Sequence, residues 1–230
     1  MSQSSKSVSV VLVHGAWADG SSWNSVTRPL QSRGLHVIAA PIPLTSLSDD
    51  VKALEHALER TTGPVVLGAH AYSGAVVSAT TNERVKGIVY IASLTPDEGE
   101  TVAEVFYRET PHPKAPQLAP DSHGFLWMPE EAFATAFAQN ASAEQAALFA
   151  ATQHPINVAC IQERAPKPLW KSRPSWYLIA EEDRMINPKT QHFLAQRMGA
   201  RIRAESVDHT PIATAPNPVI DVFLEAVAAV

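Results

Sequence analysis

The sequence predicts an α/β protein built on a doubly wound, mostly parallel sheet, and three observations carry that reading. From residue 8 to residue 91, apolar runs of strand length alternate with amphipathic stretches of helix length. The same alternation resumes at residue 174 after a proline-rich interval. Within the first stretch, Pro64-Val65-Val66-Leu67 reads as a buried strand that runs through a tight turn at residues 68–74 straight into a helix, Ala75-Val76-Val77-Ser78-Ala79.

Each element has its own justification. Residues 8–13, apolar except at Ser9, read as a strand ending at His14-Gly15. Residues 22–32 are helical, with Gly34 closing the helix, and residues 36–40 return as a strand. Ser48-Asp49-Asp50 opens a helix reaching about residue 60, whose Val51, Leu54 and Leu58 recur at spacings of three and four, and Gly63-Pro64 stops it. Strands follow at 65–68 and 85–91, with a helix from the turn to about residue 80 between them. Beyond Ala92 the pattern breaks: Pro96, Pro111, Pro113, Pro116, Pro120 and Pro129 punctuate a stretch without strand patterning. Helices are expected at 129–140 and 142–153, where Glu130, Glu131 and Glu144 favour the first turns and Phe133, Phe137, Leu148 and Phe149 supply an apolar face. Residues 174–180 (strand), 188–197 (helix), 200–207 (strand) and 217–227 (helix) complete the sheet. The expected organisation is a core from residues 1–95 and 172–230, interrupted by a helical cap at 96–171 that belongs to the same domain.

Bulk properties narrow the function. A chain of 230 residues with 45% hydrophobic content suits one α/β domain with an insertion. The net charge of -5, with both signs interspersed, provides no basic stripe for nucleic acid. Cys160 is the one cysteine, which excludes an internal disulfide and a cysteine-rich zinc site; it reads as a small buried apolar residue. The short polar segment Met1-Ser2-Gln3-Ser4-Ser5-Lys6-Ser7 reads as a disordered tail, not a signal peptide, and no apolar run reaches the ~18 residues of a membrane span. A soluble cytoplasmic protein is expected, with no membrane partner, no cofactor and no metal; a homodimer is compatible with the sequence.

Chemistry in an open parallel sheet gathers at the carboxyl ends of the strands. His14-Gly15-Ala16-Trp17, His70-Ala71-Tyr72, Ser93, Glu181-Glu182-Asp183 and Asp208-His209 all follow expected strands. The turn at 68–74 has the shape of a nucleophile elbow, small at Ala69 and Ser73, but its apex is Ala71, where such a turn presents serine. Ser73 also has small flanking residues, yet a register centred on it shifts His70 and Tyr72 and lengthens the strand by two residues. His209 follows the last strand, and Asp183 is favoured over Glu181 and Glu182 as its orienting acid because of its spacing to Pro188. The order apex, acid, histidine resembles that of the α/β-hydrolase fold superfamily. The resemblance covers residues 8–227 and is nearest to the small esterase and hydroxynitrile-lyase branch, on four motifs. They are His14-Gly15-Ala16-Trp17, Thr95-Pro96-Asp97-Glu98-Gly99-Glu100, Asp183-Arg184-Met185-Ile186-Asn187-Pro188 and Asp208-His209. The chain departs from the family at Ala69-His70-Ala71-Tyr72-Ser73-Gly74, where the family has Gly-His-Ser-Tyr-Gly-Gly.

The resemblance implies hydrolysis of a small ester or lactone, with Ala71 at the nucleophile position, Asp183 and His209 as acid and base, and the N–H groups of Ala16 and Tyr72 as the oxyanion hole. His14, Trp17, His70, Phe106, Phe125 and Trp127 are the candidates to line a pocket for an apolar small molecule. Two other functions fit the residues: base catalysis by His209 and Asp183 without a covalent intermediate, in a lyase, cyclase or proton-transfer reaction, and a receptor that binds a small molecule under the cap.

Overall fold

The computed structural model describes residues 8–230; the amino-terminal segment expected to be a disordered tail lies outside the described residues. The first half contains β1 (Ser9–Val13), a 3₁₀ turn at Gly20–Trp23, α1 (Asn24–Gln31), β2 (His36–Ala40), α2 (Leu47–Glu59), β3 (Val65–His70), α3 (Ser73–Ala79) and β4 (Val85–Ile91). The interval that follows holds α4 (Val102–Phe106), β5 (Phe125–Leu126), α5 (Glu130–Ala132), α6 (Ala143–Ala151), β6 (Ile156–Asn157) and α7 (Val158–Gln162). The chain closes with β7 (Ser175–Ala180), α8 (Pro188–Arg197), β8 (Arg201–Glu205), α9 (Pro211–Thr214) and α10 (Pro216–Ala228). Among the described residues, no helix is long and apolar enough to cross a membrane.

Six strands pair in parallel in the order β2-β1-β3-β4-β7-β8. Alternation along each strand sends side chains to two separate cores. Val11, Val13, Leu67, Tyr90 and Tyr177 face the layer formed by α2, α3 and α8, whereas Val10, Leu12, Val66, Val89 and Leu178 face α1 and α10. Because both faces are covered, the inner strands β1, β3, β4 and β7 read as nearly continuous apolar runs. The chain runs from β1 out to the edge strand β2 and then back past β1 to β3. The sheet therefore reverses its winding between β1 and β3, and a crevice opens at their carboxyl ends.

Three local departures from the sequence pattern have physical reasons. The helix expected at 129–140 is the short α5 followed by a π turn at Phe133–Phe137, closed by Ala138 N–H donating to the Phe133 carbonyl at 2.8 Å. This wider turn buries Phe133 and Phe137 together, their rings edge to face at 5.2 Å. The interval expected to lack strands contains the antiparallel ribbon β5–β6, in which Leu126 lies opposite Ile156. Strands of two residues are too short to show an alternation. Finally, Pro211 starts the unexpected turn of α9, and Pro216 starts α10.

Candidate active site

At the end of β3 the backbone turns sharply through Ala71, whose φ of +52° lies in the left-handed region that residues with a Cβ avoid. Ala71 N–H donates to the Ile91 carbonyl at 3.2 Å, and its own carbonyl accepts from Leu94 N–H at 3.0 Å and Gly74 N–H at 3.2 Å. Such strain persists where the surroundings over-determine the conformation. Two glycines make room for it. A Cβ on Gly15 would come within 2.9 Å of the His70 carbonyl and 3.0 Å of Ala71 Cβ, and one on Gly74 within 2.5 Å of the Leu94 carbonyl.

β3 runs to His70, two residues beyond its expected end, so strand length does not decide between Ala71 and Ser73. The backbone does: the positive φ is at Ala71, and Ser73 is the first residue of α3. Ser73 is fully buried. Its Oγ accepts from His70 N–H at 3.0 Å and lies within donating reach of the carbonyls of Val13 at 2.8 Å and His70 at 2.9 Å. This hydroxyl fastens β1, β3 and α3 together.

The acid loop after β7 turns Asp183 inward, where four donors surround its carboxylate. Oδ1 accepts from the N–H groups of Met185 at 2.7 Å and Ile186 at 2.9 Å, and Oδ2 from Gln191 Nε2 at 2.8 Å and His209 Nδ1 at 2.8 Å. Both Asp183 and His209 are buried. With Nδ1 committed to the carboxylate, Nε2 of His209 has no protein partner among the described residues. Glu181 pairs with His192 at 2.8 Å near the surface, and the exposed Glu182 uses its carbonyl to accept from Gln139 Nε2 at 2.7 Å.

His70 braces the histidine loop. It is fully buried, its ring centroid lies 4.9 Å from that of His209, and its Nε2–H donates to the His209 carbonyl at 2.7 Å. Burial, aided by the neighbouring His209, pushes its pKa down to about 3, so it serves as a neutral donor. His14 has a related role after β1: its Nδ1 bonds the Gly15 carbonyl at 3.0 Å and its Nε2 accepts from Ile42 N–H at 3.3 Å. Burial lowers its pKa too.

Among the described residues, the N–H groups of Ala16 and Tyr72 carry no protein acceptor. The Tyr72 hydroxyl donates to Asp50 Oδ2 at 2.7 Å, and Cys160 Sγ lies 3.6 Å from the same oxygen. Asp50 is thus the buried anchor for the residue after the elbow apex. Sequence reasoning passed over it, as it passed over Gln191.

The other pocket candidates are dispersed. Trp17 reaches from the end of β1 to the ribbon, donating its indole N–H to the Leu126 carbonyl at 2.9 Å. Phe125 lies in β5, and Phe106, at the end of α4, stacks edge to face on Tyr107 at 5.0 Å. Trp127 is 51% exposed and donates to Asp121 Oδ2 at 3.1 Å, so it faces solvent instead of the strand ends. Phe137, from the π turn, takes the place foreseen for a cap aromatic, 5.4 Å from the His209 ring. Its carbonyl accepts from Thr210 Oγ1 at 2.5 Å, and Asn140 N–H donates to Asp208 Oδ2 at 3.0 Å, so this part of the cap is tied to the histidine loop.

Access is narrow. A hollow of about 20 Å³ between Trp17, Ser22, Phe137, Phe149, Thr152 and Thr210 has room for a single water. A larger cleft of about 300 Å³ lies between α4 and α8, lined by Glu100, Glu104, Arg108, Phe193 and Arg197, and includes none of the elbow residues. The elbow and the Asp183–His209 pair are therefore separate from this larger opening. Among the described residues, no group of three or more His, Cys, Asp or Glu side chains is placed to hold a metal ion.

A buried acid–histidine pair beside a strained strand-to-helix apex agrees with the family comparison: the family described as "Alpha/beta hydrolase family" matches residues 10–222. The chain belongs to the alpha/beta hydrolase family. No curated protein matches it. Among solved structures, it superimposes on a polyneuridine aldehyde esterase with a TM-score of 0.83 at 18% identity, over 96% of this chain and 98% of that one. A pyrethroid hydrolase from Sphingobium faniae JZ-2 gives 0.81 at 18% identity, over 97% and 98% of the two chains. The methylesterase MES16 from Arabidopsis gives 0.78 at 16% identity, over 97% and 100%. These likenesses show a shared alpha/beta hydrolase fold, with neighbours in the small esterase branch.

Proposed function

We propose that this protein has the site of a hydrolase for small esters or lactones, in a form whose attacking oxygen is missing. The observation that carries the reading is the buried Asp183–His209 pair at 2.8 Å, with the carboxylate held by three further donors and His209 Nε2 left free. A carboxylate so held fixes the ring orientation and stabilises the imidazolium that forms when His209 takes a proton. With serine at position 71, Nε2 would take the hydroxyl proton as the oxygen attacks the ester carbonyl. The resulting oxyanion would fall to the N–H groups of Ala16 and Tyr72, and the imidazolium would return the proton to the departing alcohol. Water, activated by the same nitrogen, would then release the acid. The apolar cap residues around Phe137 suit an apolar substrate.

Alanine removes only Oγ. The remaining oxyanion donors and binding surface can still act on a bound ester, at about 10³–10⁴ over the uncatalysed rate. The Asp183–His209 pair supports the second reading, base catalysis without a covalent intermediate, whereas a receptor has no need of it. The deciding experiment is Ala71→Ser assayed with p-nitrophenyl acetate and butyrate. Turnover should rise by ~10³ or more, and His209→Ala added to that variant should abolish the gain. A folded Ala71→Ser protein without increased turnover would overturn the hydrolase reading.

A further inference from the structure

Trp17 stands out from every other aromatic residue of the cap–core boundary. Among the described residues it is one of four non-glycine residues with positive φ, at +57°, a conformation that a bulky side chain adopts only under constraint. The constraint comes from the cap. Trp17 N–H donates to the His154 carbonyl at 2.9 Å and its indole N–H to the Leu126 carbonyl at 2.9 Å. Leu126 lies in β5, and His154 lies two residues before β6, so a single residue grips both sides of the ribbon. Its ring rests on the main core and also on the cluster around Phe133 and Phe137.

Ordinary core packing explains the ring contact but not the backbone. The left-handed conformation costs energy comparable to what two such bonds return, so it is held only while both acceptors are in place. The residue before Trp17 is Ala16, and the bond from Trp17 N–H fixes the peptide plane adjoining it. Ala71 and His209 are only 7% and 2% exposed, so little of either is open to a substrate while the cap is seated.

We propose that Trp17 is a positioning residue that sets the Ala16 N–H for oxyanion binding only when the β5–β6 ribbon is seated on the core. This rests on the ester-hydrolase reading above. Lifting the ribbon to admit substrate removes the acceptors at Leu126 and His154 and lets Trp17 relax. Reseating it rebuilds the donor around the bound substrate, so productive binding and assembly of the oxyanion site become one event.

The test has two arms. Amide hydrogen exchange on the protein as it stands compares the parent with Trp17→Phe, which removes the indole donor, and with Asn157→Ala. The second variant loosens the ribbon from its far side, where Asn157 Nδ2 donates to the His123 carbonyl at 3.2 Å. Both variants should speed exchange in the oxyanion loop (14–18) together with the ribbon, while α10 is unchanged. A ribbon that loosens in Asn157→Ala while the loop keeps its protection would overturn the proposal, as would unchanged exchange at both places in Trp17→Phe. The kinetic arm places Trp17→Phe in the Ala71→Ser background, where kcat should fall about tenfold to a hundredfold with KM within about threefold. A rise in KM alone would overturn it. If Ala71→Ser shows no activity, the hydrolase reading fails by itself, and the exchange arm still decides whether loop and ribbon move together.

Discussion

Replacing Asp50 with asparagine should change how stability responds to pH. Asp50 has no exposed surface. Its Oδ1 accepts from Leu44 N–H at 2.7 Å and its Oδ2 from the Tyr72 hydroxyl at 2.7 Å. Burial outweighs these donors and pushes the carboxyl from its ordinary 3.8 up to about 6. A folded-state value above the unfolded one means that the folded protein keeps its proton longer. The associated stability is therefore full below about pH 4 and is lost as the pH rises to about 6. At 1.36 kcal/mol per unit, a displacement of about two units amounts to roughly 3 kcal/mol. For a domain of this size that corresponds to ~6–12 °C in Tm. The asparagine variant has no such proton to lose, so its Tm relative to the parent should climb by that amount between pH 4 and pH 7. Thermal melts at fixed ionic strength measure the difference and cancel the exposed carboxylates common to both proteins. Tyr72→Phe, which removes a donor to the carboxylate, should move the decline to higher pH. A Tm difference constant to within ~2 °C across the range would refute the argument.

Two further predictions concern the elbow. Ser73→Ala, by deleting the hydroxyl that joins Val13, His70 and α3, should lower stability by about 1–3 kcal/mol in urea melts. In the Ala71→Ser background it should leave ester turnover within about threefold, because Ser73 does not face the reaction; a loss as large as that from His209→Ala would contradict the assignment of the apex. Gly74→Ala pushes a Cβ to within 2.5 Å of the Leu94 carbonyl. It should destabilise by ~2 kcal/mol or more, and an unaltered melt would show that the turn has slack.

The sheet was legible because its inner strands β1, β3, β4 and β7 are buried on both faces: β4 lies where its apolar run places it, and α8 begins at Pro188 as its capping pattern requires. The candidate site was legible for the same reason, since Ala71, Asp183 and His209 all follow strands. What the sequence hid depends on contacts across long separations. The carboxylate of Asp50 meets the Tyr72 hydroxyl across 22 residues, and Trp17 meets Leu126 across 109. A signal did exist for two of the missed residues. Asp50 interrupts the buried stripe Leu47, Leu54, Ala57 and Leu58 of α2, and Gln191 precedes Leu194 and Ala195 on that of α8. A polar residue on an apolar stripe needs a buried partner, and each has one. Trp127 was misplaced because period and composition say nothing about which face of a short ribbon meets solvent.

The strained backbone at Ala71 has a genetic consequence. The turn already holds a Cβ at that position, and every alanine codon becomes a serine codon by a change in its first base. The present protein and its serine-bearing counterpart are therefore mutational neighbours, joined without any rearrangement of the fold. On the hydrolase reading proposed above, a gene of this kind keeps ester cleavage one substitution away for as long as selection on the fold preserves the turn.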